Sequence, residues 1–288
     1  MGKIVTVMNM KGGVGKTTVS MHIAGVLAGH RFIGLEKYKK ILLIDYDPQF
    51  NLSQAYLPSA TYFNLEKARK TTLAILADDD SALNPYHLQV PGNHTPPPVA
   101  KLRTVVNQYS DGGHLHIVPA TLDLMYVALS NISTQAKPME ERFAKFITEC
   151  RSEYDLVVVD CHPAGSIFTK TSLQNSDSVL IPVVPQRYAA RGIGLMMTFI
   201  EARSQSGNTP TPYILFNRTD RVGVSQIENS IRADPKYGKF CLSNTLKNYK
   251  AFGDPEEGKG FVWESTKPYS GEALKNLFSV ATEFAKKI

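Results

Sequence analysis

"KIVTVMNMKGGVGKTT" (residues 3–18) joins an apolar run to a glycine-rich turn and a Lys-Thr-Thr that opens the next segment. The run from Lys3 to Asn9 reads as a strand buried on both faces, and Lys16–Gly29 reads as a helix. Strand end, glycine turn and helix start together aim backbone N–H groups at one point, at the positive end of the helix dipole. That arrangement is a cradle for phosphate. Gly12, Gly13 and Gly15, with Val14 between them, let the backbone wrap an anion without side-chain collision. Lys16 is then placed to reach terminal phosphates, Thr17 to offer its hydroxyl to Mg²⁺, and Thr18 to contact the phosphate nearest the ribose.

Lys11 needs a separate account. It stands at the strand end, ahead of the turn, where reaching around its own loop to the same nucleotide is awkward. A charge pointing away from its own loop can instead meet phosphates held by a second subunit, as an arginine finger does in trans. Two facing loops would each lend a lysine, and ATP would hold the homodimer together. The plainer alternative is a solvated lysine beside an anion site.

Working outward, further apolar runs read as buried strands: "KILLID" (40–45), "LHIVPA" (115–120), "DLVVVD" (155–160), "SVLIPVV" (178–184) and "PYILFN" (212–217). Helical patterns separate them, including Met139–Ser152, Ala189–Ser204, Val224–Ala233 and Glu272–Lys287. The alternation predicts a doubly wound α/β fold, a mainly parallel sheet with helices on both faces and the ligand at the C-terminal strand ends. Residues 78–113, with "DDDSALNPYHLQVPGNHTPPPVA" (78–100), are polar, proline-rich and poorly periodic, and read as a surface insertion.

Composition narrows the class. Hydrophobic content of 43% and 20% charged residues are ordinary for a globular chain. No apolar run approaches a membrane helix, and no secretory leader precedes Ile4, so a cytoplasmic setting is expected. Cys150, Cys161 and Cys241 lie far apart, as isolated reduced thiols would. The net charge of +6 divides evenly between residues 1–209 and the much shorter 210–288, a modest basic excess compatible with a polyanionic partner.

Three acids stand at strand ends near the phosphates: Asp45, Asp47 and Asp160. Phosphoryl transfer asks for a placed water, Mg²⁺ and charge neutralisation, all of which carboxylates serve. Asp160 ends "LVVVD", the form of a Walker B residue that holds magnesium through water. Asp45 reads as a brace for the loop or for the Mg²⁺ shell. All three could also simply cap the following turn.

"KGGVGKTT" (11–18) resembles the deviant Walker A loop of the ParA/MinD family of P-loop ATPases, whose members carry the additional lysine. "LLIDYDPQFNLS" (42–53) is similar to the family's first switch, "YDLVVVDCHP" (154–163) to its Walker B and second switch, and "VLIPVVPQRYAARG" (179–192) to the segment that follows. "PYILFNRTD" (212–220) resembles the strand whose asparagine contacts adenine, which maps to Asn217; Arg218 and Asp220 beside it read as solvent-facing. The likeness spans nearly the whole chain outside about 58–113, leaving one ATPase domain with an insertion there, and is nearest to ParA-type partition ATPases. It implies that Asp47 positions or activates the attacking water. His162 departs from the family, where proline is common, and puts the behaviour of the second switch in question.

The resemblance implies a weakly active Mg-ATPase that dimerises on ATP, binds nonspecific DNA, and is stimulated by a ParB-like or other adaptor to segregate plasmid or chromosomal DNA, in association with the nucleoid. Arg191, Lys247 and Lys250 are candidates for the DNA contacts. The alternatives are a related cargo-positioning ATPase, a MinD-like membrane-associated one, and a metabolic enzyme on the same loop. A MinD-like reading would need Leu274, Leu277, Phe278, Ala281, Phe284 and Ile288 to form a lipid-facing stripe, which at helical spacing is more often core.

Overall fold

Alternate residues of the first strand enter different cores. Ile4 and Met8 join one apolar cluster and Val5 and Val7 the other, so β1 (Lys3–Val7) has no wet face. The computed structural model describes residues 1–29, 38–78, 92–109, 112–129, 136–162, 166–204 and 209–288. In chain order it contains α1 (Lys16–Gly29), β2 (Lys40–Tyr46), α2 (Asn51–Tyr56), α3 (Ser59–Lys67), α4 (Leu73–Leu76), α5 (Val99–Leu102), β3 (Thr104–Gln108) and β4 (His114–Val118). There follow α6 (Leu124–Leu129), α7 (Lys137–Glu153), β5 (Leu156–Cys161), α8 (Ile167–Asn175), β6 (Ser178–Val183), α9 (Ala189–Ser204), β7 (Thr211–Thr219), α10 (Gln226–Ala233), β8 (Leu246–Lys247) and α11 (Ser270–Lys287).

The strands form one sheet in the order β3-β4-β2-β5-β1-β6-β7-β8. Every neighbouring pair is parallel except β3 and β4. The doubly wound α/β expectation is met: Val19 and Ile23 of α1 pack with Leu277 and Phe284 of α11 on one face, while Phe143 of α7, Phe168 of α8 and Ile193 of α9 pack on the other. The chain leaves β1 toward β2 and later crosses to β6 on the opposite side. The ends of β1, β2 and β5 therefore open onto a crevice where the winding reverses, the place such folds bind ligands.

The irregular region proves partly regular. Residues 58–113 supply α3, α4 and α5 and the antiparallel edge strand β3, and residues 79–91, 110 and 111 of the expected insertion lie outside the described residues. A fully buried arginine ties the segment down. Arg142 of α7 donates to the carbonyls of Ala74, Ile75 and Ala77 and to those of Asn93 and Thr95, and pairs with Asp78 at 2.8 Å.

The apolar stripe of α11 turns inward. Leu277, Ala281 and Phe284 are buried, with Leu274, Phe278 and Ile288 packed at the margin of the same core. That is the packing role. Among the described residues no helix is long and apolar enough to cross a membrane.

Candidate nucleotide site

The loop after β1 takes the shape its glycines permit. Gly13 (φ 73) and Gly15 (φ 84) adopt left-handed backbone that a side chain would resist, and the Val19 N–H donating to the Gly15 carbonyl starts α1 directly behind them. The loop forms one wall of a cavity of about 790 Å³. Lys16, Thr17, Asp47, Phe50, Tyr62 and Arg218 also face it. Lys16 is only 9% exposed.

Asn217, at the end of β7, is buried against this loop. Its Nδ2 donates to the Val14 carbonyl at 2.8 Å, and its Oδ1 accepts the Arg218 N–H at 2.9 Å. Beside it, Thr18, Arg218, Lys247, Tyr249, Lys250 and Phe252 help to line a second cavity of about 200 Å³. Arg218 is exposed, as its solvent-facing reading expects, and from the surface its Nη1 donates to the Gly13 carbonyl at 3.2 Å.

The acids converge as their strand register demands. Asp45 and Asp160 are paired across β2 and β5, both essentially without exposure. Asp45 Oδ2 accepts from the Ser53 N–H at 2.8 Å and the Ser53 hydroxyl at 2.6 Å, and Oδ1 accepts the Asp47 N–H at 3.3 Å. Its geometry is that of a brace between β2 and α2. Burial, and then the charge of Asp160, push its carboxyl well above the ordinary range. Asp47 Oδ1 accepts the Gln49 N–H at 2.9 Å while the carboxylate faces the cavity.

Asp160 has a different pattern. Oδ1 accepts from the Ser20 hydroxyl at 2.9 Å, Thr17 adds a further hydrogen bond, and Oδ2 is buried with no partner among the described residues. Burial raises its carboxyl to about 6 against the pull of those two hydroxyls. A buried orphan carboxylate oxygen beside a second acid costs free energy that a cation would offset. The donor set of Thr17 and Asp160, all oxygen, suits magnesium.

Lys11 is exposed, and its Nζ donates to Gln186 Oε1 at 3.0 Å, on the connection between β6 and α9. Its ammonium is thus turned toward the neighbouring connection. His162 Nε2 lies 4.0 Å from Asp47 Oδ1, so the residue at which the family pattern breaks stands beside a site acid. Burial lowers its pKa, opposed by Asp47. Pro163, which follows, lies outside the described residues. Arg191 is exposed on α9, and Lys250 is exposed at the smaller cavity. Lys247 donates to the Arg221 carbonyl at 2.8 Å.

Ser20, Ser53, Gln186 and Arg218 belong to this constellation and were not singled out as site residues from sequence. Ser20 carried one available signal: it stands one helical turn beyond Lys16, on the face that passes under the loop. Ser53 and Gln186 carried none, because a polar residue in a loop or first helical turn has many uses.

A family model described as an AAA domain matches residues 2–210. The chain belongs to that family, as one of the ParA/MinD deviant Walker A P-loop ATPases. The sporulation initiation inhibitor protein Soj of Bacillus subtilis is 28% identical over 286 residues, 96% of this chain and 97% of that protein. The chromosome-partitioning ATPase Soj of Treponema pallidum is 30% identical over 207 residues, 72% of this chain and 66% of that protein. Among solved structures, a plasmid partition protein from Borrelia burgdorferi B31 bound to AMPPNP is similar in fold, with a TM-score of 0.70 at 20% identity over 100% of both chains.

Proposed function

We propose that this chain is an ATP- and Mg²⁺-dependent partition ATPase that dimerises around two ATP molecules and binds DNA without sequence preference in that state. Lys11 carries the reading: its ammonium rests on Gln186, outside its own phosphate loop, where a second subunit can meet it. Similarity to partition ATPases supports the cargo being DNA. The inward packing of α11 weighs against a membrane role.

In this reading the loop N–H groups and Lys16 hold the β- and γ-phosphates, with Gly12, Gly13 and Gly15 letting the backbone wrap them. Thr17 and Asp160 would hold Mg²⁺, which when bound would supply neutralisation of charge on the phosphate oxygens. Asp47 orients the attacking water and takes up its proton; Asp45 keeps that strand end in place through Ser53. Lys11 enters the partner's site and stabilises charge developing there. Asn217 closes the adenine end. Arg191, Lys247 and Lys250 serve the DNA phosphates, and an adaptor of the ParB kind times hydrolysis and release.

The test is retention on nonspecific DNA with ATP, ADP or no nucleotide across a salt series, with liposomes in parallel. Retention only with ATP, weakening steeply with salt, is expected. Equal retention in all three states, or binding to liposomes instead, rejects the proposal.

A further inference from the structure

Arg218 occupies left-handed backbone, φ 54, where its Cβ crowds the neighbouring carbonyl. Such strain persists only where the surroundings enforce it. Here the enforcement is explicit. The Arg218 N–H is bound by Asn217 Oδ1 at 2.9 Å, which turns Asn217 Nδ2 onto the Val14 carbonyl at 2.8 Å. The same left-handed turn brings the Arg218 guanidinium to the Gly13 carbonyl at 3.2 Å. Two successive carbonyls of the phosphate loop are therefore tied to the end of β7.

A trans peptide is planar, with its N–H pointing opposite to its C=O. Fixing the carbonyls of Gly13 and Val14 consequently fixes the N–H groups of Val14 and Gly15 on the other side of their planes. Those are the groups a phosphate loop uses to grip a diphosphate. We infer that Arg218 is a positioning residue for the phosphate loop, its guanidinium holding the Gly13 carbonyl so that the loop is set for a diphosphate before any nucleotide arrives. The inference rests on the nucleotide reading above and adds a residue to it. Because ATP and ADP share the diphosphate, the effect falls on both alike.

The test replaces the side chain without changing the backbone demand. Asparagine tolerates left-handed backbone, so Arg218→Asn removes the guanidinium alone, and Arg218→Lys keeps a cationic donor. Dissociation constants for ATP and ADP are measured by equilibrium titration with fluorescent analogues, alongside the unfolding midpoint of the free protein. Arg218→Asn should weaken both nucleotides about tenfold, the scale of one charged hydrogen bond, with their ratio and the midpoint unchanged. Arg218→Lys should recover most of that loss. Unchanged affinities overturn the inference. A loss confined to ATP overturns it in favour of direct contact with the terminal phosphate, and a loss that follows a lower midpoint reduces Arg218 to a structural residue. A wild-type chain that binds neither nucleotide brings down the nucleotide reading, and this inference with it; the other outcomes leave that reading standing.

Discussion

Gly15→Ala is the sharpest single test of how the phosphate loop is held. A Cβ built on Gly15 lies 2.4 Å from Asn217 Nδ2, and the residue sits at φ +84. Left-handed backbone costs an L-residue about 1–2 kcal/mol. The collision must also move Asn217, which is 3% exposed, off the Val14 carbonyl. Losing that buried bond costs about 1–3 kcal/mol. The two effects together come to roughly 2–5 kcal/mol, and at 1.4 kcal/mol per decade the lower bound is about 30-fold in nucleotide affinity. The assay is a fluorescent-ATP titration with a thermal melt of the free protein, expected to fall by about 3 °C or more. Gly12→Ala is the internal control: a Cβ there meets nothing within 4 Å, so its melt should stay within about 1 °C. A Gly15→Ala protein that melts like the wild type and binds ATP within about threefold of it refutes the clamp.

Lys11→Ala should keep ATP affinity within about twofold while abolishing the ATP-dependent dimer in sedimentation velocity, since the ammonium lies off its own loop. Asp47→Ala should reduce hydrolysis at least about 100-fold with ATP still bound, so that dimer accumulates under conditions where the wild type turns over. Arg142→Ala should be among the most damaging substitutions, about 4 kcal/mol or more by urea unfolding, because five carbonyls and a carboxylate lose their donor. His22, fully buried with Nδ1 against the Thr18 carbonyl at 2.8 Å, has its pKa lowered by burial to about 4. A depressed histidine leaves stability intact above the unfolded value of 6.5 and removes it as pH falls toward 4, by up to about 3 kcal/mol. Urea unfolding from pH 7 to 4 should show that decline, and a His22→Gln chain should show a flatter one.

What could be seen in the residues was what repeats or what chemistry forces. The buried strands announced themselves because both faces of each are apolar, and the phosphate loop because strand, glycines and Lys-Thr stand in register. The ends of α1 and α9 fell where periodicity placed them. β3 was hidden because an edge strand with one wet side, "TVVNQ", lacks the continuous apolar run. α3 and α4 were hidden by their length, too short for a helical period to establish itself. Arg218 is the surface charge the sequence suggests, but nothing in the sequence hints that a residue 205 positions from Gly13 also donates to that carbonyl. The stripe on α11 was visible, and only the packing on α1 decided which way it faces.

The bonds from Asn217 to Val14 and from Arg218 to Gly13 span 203 and 205 residues. β1 and β7 are not even neighbours; β6 lies between them. A nascent polypeptide can therefore make the glycine turn early yet lacks the means to hold it until β7, some 200 residues later, has been synthesised and laid into the sheet. Tight capture of ligand then doubles as a report that β7 has joined the sheet, and a product terminated before it would carry the motif without the grip.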